Sequence, residues 1–377
     1  MLARRQIPFF NYPALFAAQE SQIMATLHEV LQRGAYVMQK DLLEFERQLA
    51  AFVGAKHAIG VADGTMGLLL PLLTRNLQPG DEVLVPSHTF IASAAAIHHA
   101  GGTPVLVDCG RDHLIDPISV RAAITRNTRG IMPVQLNGRT ADMQAICAIA
   151  AEHQLFIVED SCQALGSKFQ GRCAGTFGLA GSISFYPSKT LGCFGDGGSV
   201  LTNDDDVAEE VRSLRDHGRG EHGMVARWGF NSRLDNIQAA ILLLRLAAYD
   251  EAIATRRRLA GIYEQRLSGN PQLLLPPGPD ASAEHFDIYQ NYEVEAERRD
   301  ELRAFLLEEG IGTILQWGGH CIHEFSDLGV NGRVPYTERM TSRYLLLPLH
   351  TALGDDDVHY ICDVIGKFYG RPGTAKR

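Results

Sequence analysis

Leu155-Phe156-Ile157-Val158-Glu159-Asp160-Ser161-Cys162-Gln163 starts as four apolar residues and breaks at once into two acids and a polar turn. An unbroken apolar run of this length fits a strand covered on both faces, as in parallel sheets. Six runs of the same kind accompany Leu155–Glu159: His57–Val61, Glu82–Val85, Pro104–Val107, Gly130–Gln135, Ser182–Phe185 and Ser199–Leu201. Segments with apolar residues three and four apart lie between them, at Asp41–Val53, Thr65–Thr74, Ala92–Ala100, Ser119–Ile124 and Met143–His153. This alternation predicts an α/β fold, with a mostly parallel seven-stranded sheet and helices on both faces.

Beyond Asp235 the pattern changes to one long Ala- and Leu-rich helical stretch, Ile237–Leu267, then the loop Pro276-Pro277-Gly278-Pro279. The remainder of the chain reads as a smaller α+β unit, with strands Ile288–Val294 and Gly312–Gln316 and helices Arg298–Glu309 and Asp355–Tyr369. A chain of 377 residues exceeds the usual reach of one core. The expected division is a large domain over 1–246 and a small C-terminal domain over 247–377.

Composition narrows the function classes. The net charge of −9 and scattered basic residues, clustered only at Arg256-Arg257-Arg258, argue against nucleic acid as a partner. Met1-Leu2-Ala3-Arg4-Arg5 leads into Ile7-Pro8-Phe9-Phe10, too short and interrupted for a signal peptide, and no stretch would cross a bilayer. A cytoplasmic protein without membrane contact is expected. The seven cysteines are dispersed, with no pair at zinc-site spacing, so they read as reduced thiols and no metal is expected. Cys162 and Cys193 read as small buried residues.

Of six lysines, Lys189 stands apart. It follows the strand Ser182–Phe185 through Tyr186-Pro187-Ser188 and precedes Gly192, Gly195, Gly197 and Gly198. A lysine shielded there has a lowered pKa, and its neutral amine can form a Schiff base. Read alone, it is as well a surface lysine after a strand. Asp160 ends its own strand, where open α/β sheets bind ligands, and an acid there can keep a pyridinium nitrogen protonated. A helix-capping aspartate is the plainer reading. Gly64 and Thr65 open a helix after Val61-Ala62-Asp63, and helix N-termini attract phosphate; such turns also occur without a ligand.

Taken together these segments resemble the DegT/DnrJ/EryC1/StrS sugar aminotransferases, a branch of the fold-type-I pyridoxal-phosphate enzymes. The likeness runs through Gly54-Ala55-Lys56-His57-Ala58, Asp63-Gly64-Thr65, Pro86-Ser87-His88-Thr89-Phe90 and Gln135-Leu136-Asn137-Gly138-Arg139. It continues through Glu159-Asp160-Ser161-Cys162-Gln163, Ser184-Phe185-Tyr186-Pro187-Ser188-Lys189, Gly195-Asp196-Gly197-Gly198 and Gly229-Phe230-Asn231-Ser232-Arg233. The resemblance implies pyridoxal 5′-phosphate, cycling through pyridoxamine phosphate, with Lys189 as Schiff-base residue and Asp160 at the pyridine nitrogen. By the same match Gln163 lies near the phenolic oxygen, and Phe90 stacks on the ring, with His88 as a neighbouring candidate. Gly64, Thr65 and Ser184 match phosphate contacts. Asn231 matches a contact reaching the phosphate from a second subunit, which implies a homodimer with shared active sites.

Three positions depart from that family's pattern: Asp63 where serine is common, Asp196 where glutamate is frequent, and Asn137-Gly138 in place of a tyrosine-glycine turn. Asp63 is expected to turn away or cap its helix. The implied reaction moves an amino group from an amino acid, glutamate by the resemblance, to a keto sugar, nucleotide-linked in the leading reading, with ping-pong kinetics. A dehydratase of the same fold, in which histidine replaces the lysine, and a non-catalytic sensor are the alternatives. Arg233, Trp317, His320 and His323 are candidate acceptor contacts, with His88; a buried tryptophan and surface histidines serve as well for the last three.

Overall fold

The computed structural model describes residues 5–220 and 223–370. Its strands in chain order are β1 His57–Val61, β2 Glu82–Pro86, β3 Thr103–Val107, β4 Thr128–Ile131, β5 Phe156–Asp160, β6 Lys168–Phe169 and β7 Arg172–Cys173. Next come β8 Ala180–Ser184, β9 Gly198–Thr202, β10 Leu273–Leu274, β11 His285–Phe286, β12 Tyr292–Ala296, β13 Asn331–Gly332 and β14 Tyr344–Leu347. The central sheet runs β1-β9-β8-β5-β4-β2-β3-β13. All seven expected strands are in it, and the two-residue β13 adds an eighth from the C-terminal part of the chain. Every pairing from β8 to β13 is parallel; β9 alone runs against its neighbours.

The helices are α1 Tyr12–Ala17, α2 Glu20–Arg33, α3 Lys40–Val53, α4 Gly64–Leu73, α5 Ile91–His99, α6 Pro117–Ala123 and α7 Met143–Glu152. They continue as α8 Asp205–Arg215, α9 Asn236–Leu246, α10 Tyr249–Leu267, α11 Arg299–Glu308, α12 Pro335–Met340 and α13 Asp355–Phe368. Aspartates cap several of them. Asp116, Asp142 and Asp204 each accept from backbone N–H groups of the first turn, stabilising by about 1 kcal/mol apiece. Asp63 caps α4 through Met66 N at 2.8 Å, which engages its carboxylate at the third amide of the helix.

Two expectations are corrected. The stretch Ile237–Leu267 is two helices, interrupted at Ala247-Ala248. The segment Gly312–Gln316 is not a strand: Ile314 makes a single bridge to Leu346, and Gln316–Gly319 turns through positive φ at Trp317 and Gly318. Two glycines in Gly318-Gly319 make that turn accessible and the continuous strand unfavourable.

Separate apolar clusters lie along α10. Tyr249 and Ile253 join the core beneath α3 and α9, while Leu259, Tyr263 and Leu267 join the core of the small sheet β10-β12-β14 with α11 and α13. Ile322 and Val334 return to pack among Leu69, Val83 and Ile97 of the central sheet's core. The carboxyl ends of β1, β2, β4, β5 and β8 therefore open on one edge, closed from the far side by the segment 314–323.

Candidate active site

At that edge lies a cavity of ≈ 510 Å³. Lys189 enters it from the turn after β8. Its backbone N–H donates to Tyr186 O at 2.8 Å, closing the turn, and Gln290 grips both sides of it. The Gln290 amide donates to Ser188 O at 2.9 Å, and its carbonyl accepts from Thr190 N at 2.7 Å and Thr190 Oγ1 at 2.8 Å. The turn is thus fixed while the side chain is left free: among the described residues Lys189 Nζ has no hydrogen bond or ion pair. Burial pushes its pKa down, against the opposing pull of Cys162 and Asp160 beside it, so a larger share of the amine is neutral.

Asp160 ends β5 with its carboxylate buried. Ser93 Oγ donates to it at 2.7 Å and Cys162 N at 3.2 Å, which orients the group without neutralising it. Across the cavity α4 begins at Gly64. A side chain there would press on Cys162 Sγ at 2.7 Å and Ser184 Cβ at 2.9 Å. At the start of β9, a Cβ on Gly198 would stand 2.4 Å from the Asp63 carbonyl. Both glycines let backbone approach backbone, leaving the first two amides of α4, those of Gly64 and Thr65, open to an anion among the described residues.

Eight of the candidates from the sequence, Gly64, Thr65, Phe90, Asp160, Gln163, Ser184, Lys189 and Trp317, line this one cavity. Phe90 is half exposed to it, unusual for a phenylalanine between a strand and a helix. The others lie elsewhere. His88 is wholly buried behind the wall; burial leaves it no access to a substrate. His323 faces Ser87, with Nδ1 2.8 Å from its Oγ, and His320 is exposed beside Glu324. Arg233 pairs with Asp216 at 3.0 Å, and Asn231 is exposed on the same loop. Cys162 and Cys193 are thiols whose pKa burial raises, that of Cys193 to about 12.

Sequence reasoning missed what holds the far wall. Glu293 on β12 is buried and accepts from four side chains: His88 Nε2 at 2.9 Å, His113 Nδ1 at 2.5 Å, Asn137 Nδ2 at 3.2 Å and Gln316 Nε2 at 2.6 Å. Burial opposes its charge, but the two histidines prevail and hold its pKa well below the carboxylate range. His113 bridges on to Glu295 at 3.2 Å; burial opposes its proton too, yet both glutamates outweigh that and set its pKa at about 9. In sequence, Tyr292-Glu293-Val294-Glu295-Ala296 alternates like a strand with one wet face, so nothing marked these acids as buried. Phe10, another wall residue, stood in a segment read only for targeting.

The chain that builds this cavity is similar to known proteins along nearly its whole length. Residues 17–366 match the model of the DegT/DnrJ/EryC1/StrS aminotransferase family. The chain belongs to this family. A pleiotropic regulatory protein of Geobacillus stearothermophilus is 36% identical over 367 residues, covering 96% of this chain and 98% of that one. A dTDP-3-amino-3,4,6-trideoxy-alpha-D-glucose transaminase of Streptomyces venezuelae is 38% identical over 375 residues, covering 98% of each. The crystal structure of S. venezuelae DesV with a ketimine intermediate superposes with a TM-score of 0.92 at 37% identity, over 97% of this chain and 99% of that one. The protein is therefore an aminotransferase of fold type I, and transaminases that it resembles act on sugars.

Proposed function

We propose that this aminotransferase uses pyridoxal phosphate to move an amino group from an amino acid, glutamate first among donors, to a nucleotide-linked keto sugar. The observation that carries the reading is the free Lys189 amine, in one cavity with the Asp160 carboxylate and the start of α4. The residues fit the cofactor: a nucleophilic amine, an acid fixed by Ser93, an amide cradle beside Ser184, and an aromatic face at Phe90.

Pyridoxal phosphate supplies an aldehyde that bonds to amines and a ring that takes up an electron pair. Lys189 Nζ would hold it covalently and, when free, is placed to take a proton from the donor's α-carbon and to return one to the acceptor. Asp160 would accept a hydrogen bond from the ring nitrogen and keep the proton there. Gly64 and Thr65 amides with the Thr65 and Ser184 hydroxyls hold phosphate. Gln163 donates toward the phenolic oxygen. One site serving donor and acceptor in turn gives ping-pong kinetics.

A homodimer is part of the proposal. Trp228 is 99% exposed, with Met224, Val225 and Phe230 uncovered beside it on the loop that carries Asn231. An apolar set of that size is expected to meet a second copy. A cytoplasmic place fits seven free cysteines, and no described helix is long and apolar enough to cross a membrane.

The test is the visible spectrum of protein supplied with cofactor, before and after glutamate. A yellow band that bleaches with glutamate and returns with a keto sugar, and that Lys189→Ala lacks, is the expected result. No band in the unaltered protein overturns the proposal; a band indifferent to every amino donor points to the dehydratase or sensor reading instead.

A further inference from the structure

Carboxamides at the cavity wall are ambiguous groups, since each can present either N–H or C=O, and one charged acceptor can decide for all of them. Glu293 is such an acceptor. It lies behind the wall, and as a carboxylate it can only receive hydrogen bonds. His88, His113 and Asn137 donate to its Oε1 and Gln316 to its Oε2; among the described residues the three groups that lie close enough for a metal, His88, His113 and Glu293, already hydrogen-bond to one another.

The consequence spreads along the wall. Asn137 turns its NH2 to Glu293, so its carbonyl receives Gln316 Nε2 at 2.9 Å and Asn291 Nδ2 at 3.0 Å. Gln316 has spent its NH2 on Glu293 and Asn137, so its carbonyl faces Gln163 Nε2 at 3.2 Å. From the other side the Asn137 backbone N–H, a donor whatever its neighbours do, meets Gln163 Oε1 at 2.9 Å, and Asn291 Nδ2 meets it at 3.2 Å. Both routes give one answer. Gln163 has its carbonyl occupied and one N–H of Nε2 without a partner among the described residues, in the cavity wall.

We infer that Glu293 is a positioning residue: through Asn137 and Gln316 it fixes Gln163 as a hydrogen-bond donor to an oxygen in the cavity. The inference rests on the proposed cofactor, whose phenolic oxygen is that acceptor. A donated hydrogen bond favours the anionic oxygen, so turning the amide over makes the protonated form persist to higher pH.

The experiment is a pH titration of the visible band of the cofactor-loaded protein, with thermal unfolding in parallel. In Glu293→Gln the new side chain brings an NH2 of its own and cannot accept from both Asn137 and Gln316. Freed from Glu293, Gln316 can turn its NH2 toward Gln163 in competition with the Asn137 N–H that still holds the Gln163 carbonyl, so the midpoint rises by up to about one pH unit, the size of a hydrogen bond to a charged group. A midpoint equal to that of the unaltered protein overturns the inference, even if Tm falls, because that is what a purely structural role does. Should Glu293→Gln not fold, Gln316→Met keeps the volume and removes the bridge; the same upward shift supports the inference and an unchanged midpoint overturns it. No visible band in the unaltered protein is a different failure, that of the proposed cofactor.

Discussion

Lys189 stands in its cavity with no partner for its amine among the described residues, whereas Glu293, behind the wall of the same cavity, accepts four hydrogen bonds. Both are ionisable groups removed from bulk water, and each costs stability unless paired. Only one is paired. A satisfied charge rigidifies what surrounds it, and an unsatisfied one remains available for chemistry. The molecule uses the first kind of site to hold the geometry of the second.

The contrast breaks most sharply if Lys189 can be replaced by another cation. Lys189→Arg keeps the charge but loses the nucleophile, and amino transfer is expected to fall by about 10⁴-fold; activity within tenfold of the unaltered enzyme, measured with glutamate as donor, would place the reactive amine elsewhere. Asp160→Asn comes next, with a loss of about a hundredfold, the size of a buried charge-assisted hydrogen bond. Its check is a single-turnover rate with bound cofactor, since an effect confined to cofactor affinity would assign Asp160 to binding alone.

The place of those two residues at the cavity was legible because strand ends in a parallel sheet are recognisable and are where such sheets bind ligands. Apolar runs placed all seven central strands, and the residues just beyond β1, β5 and β8 meet in one cavity. The Glu293 cluster was not legible. Its members come from positions 88, 113, 137, 293 and 316, and each alone passes for a surface or core residue; only the register of β12 against β14, Glu293 opposite Leu346, turns the glutamate inward. His88 was misplaced for the same reason. It stands two residues from Phe90, but both lie past the end of β2, where the chain has left the strand: His88 meets Glu293 at 2.9 Å while Phe90 lines the cavity.

Gly64→Ala sharpens the comparison from the cavity side. The added methyl meets Cys162 Sγ at 2.7 Å and Ser184 Cβ at 2.9 Å, so the site must open. Destabilisation of about 1–3 kcal/mol is expected, with weaker cofactor binding read by titration against the visible band. Unchanged affinity would remove α4 from the phosphate site.

The smallest effect concerns the paired cluster. His113 in the folded chain binds its proton up to about 9, against 6.5 when free. Because the folded value is raised, the stability it contributes is whole below pH 6.5 and is lost as pH climbs through about 9. Across that window Tm of the cofactor-free protein should fall by a few degrees, and His113→Asn should start lower and lie flatter. Parallel curves would mean that His113 is not charged in the fold.

The central claim is that Lys189, alone among the lysines, carries the cofactor. Reducing the loaded protein with borohydride makes a lysine–cofactor bond permanent, and peptide mass spectrometry then locates it. The account predicts the added mass on the peptide containing Lys189. Label on Lys40, Lys56, Lys168, Lys367 or Lys376 instead, or no label on a yellow protein, would contradict it.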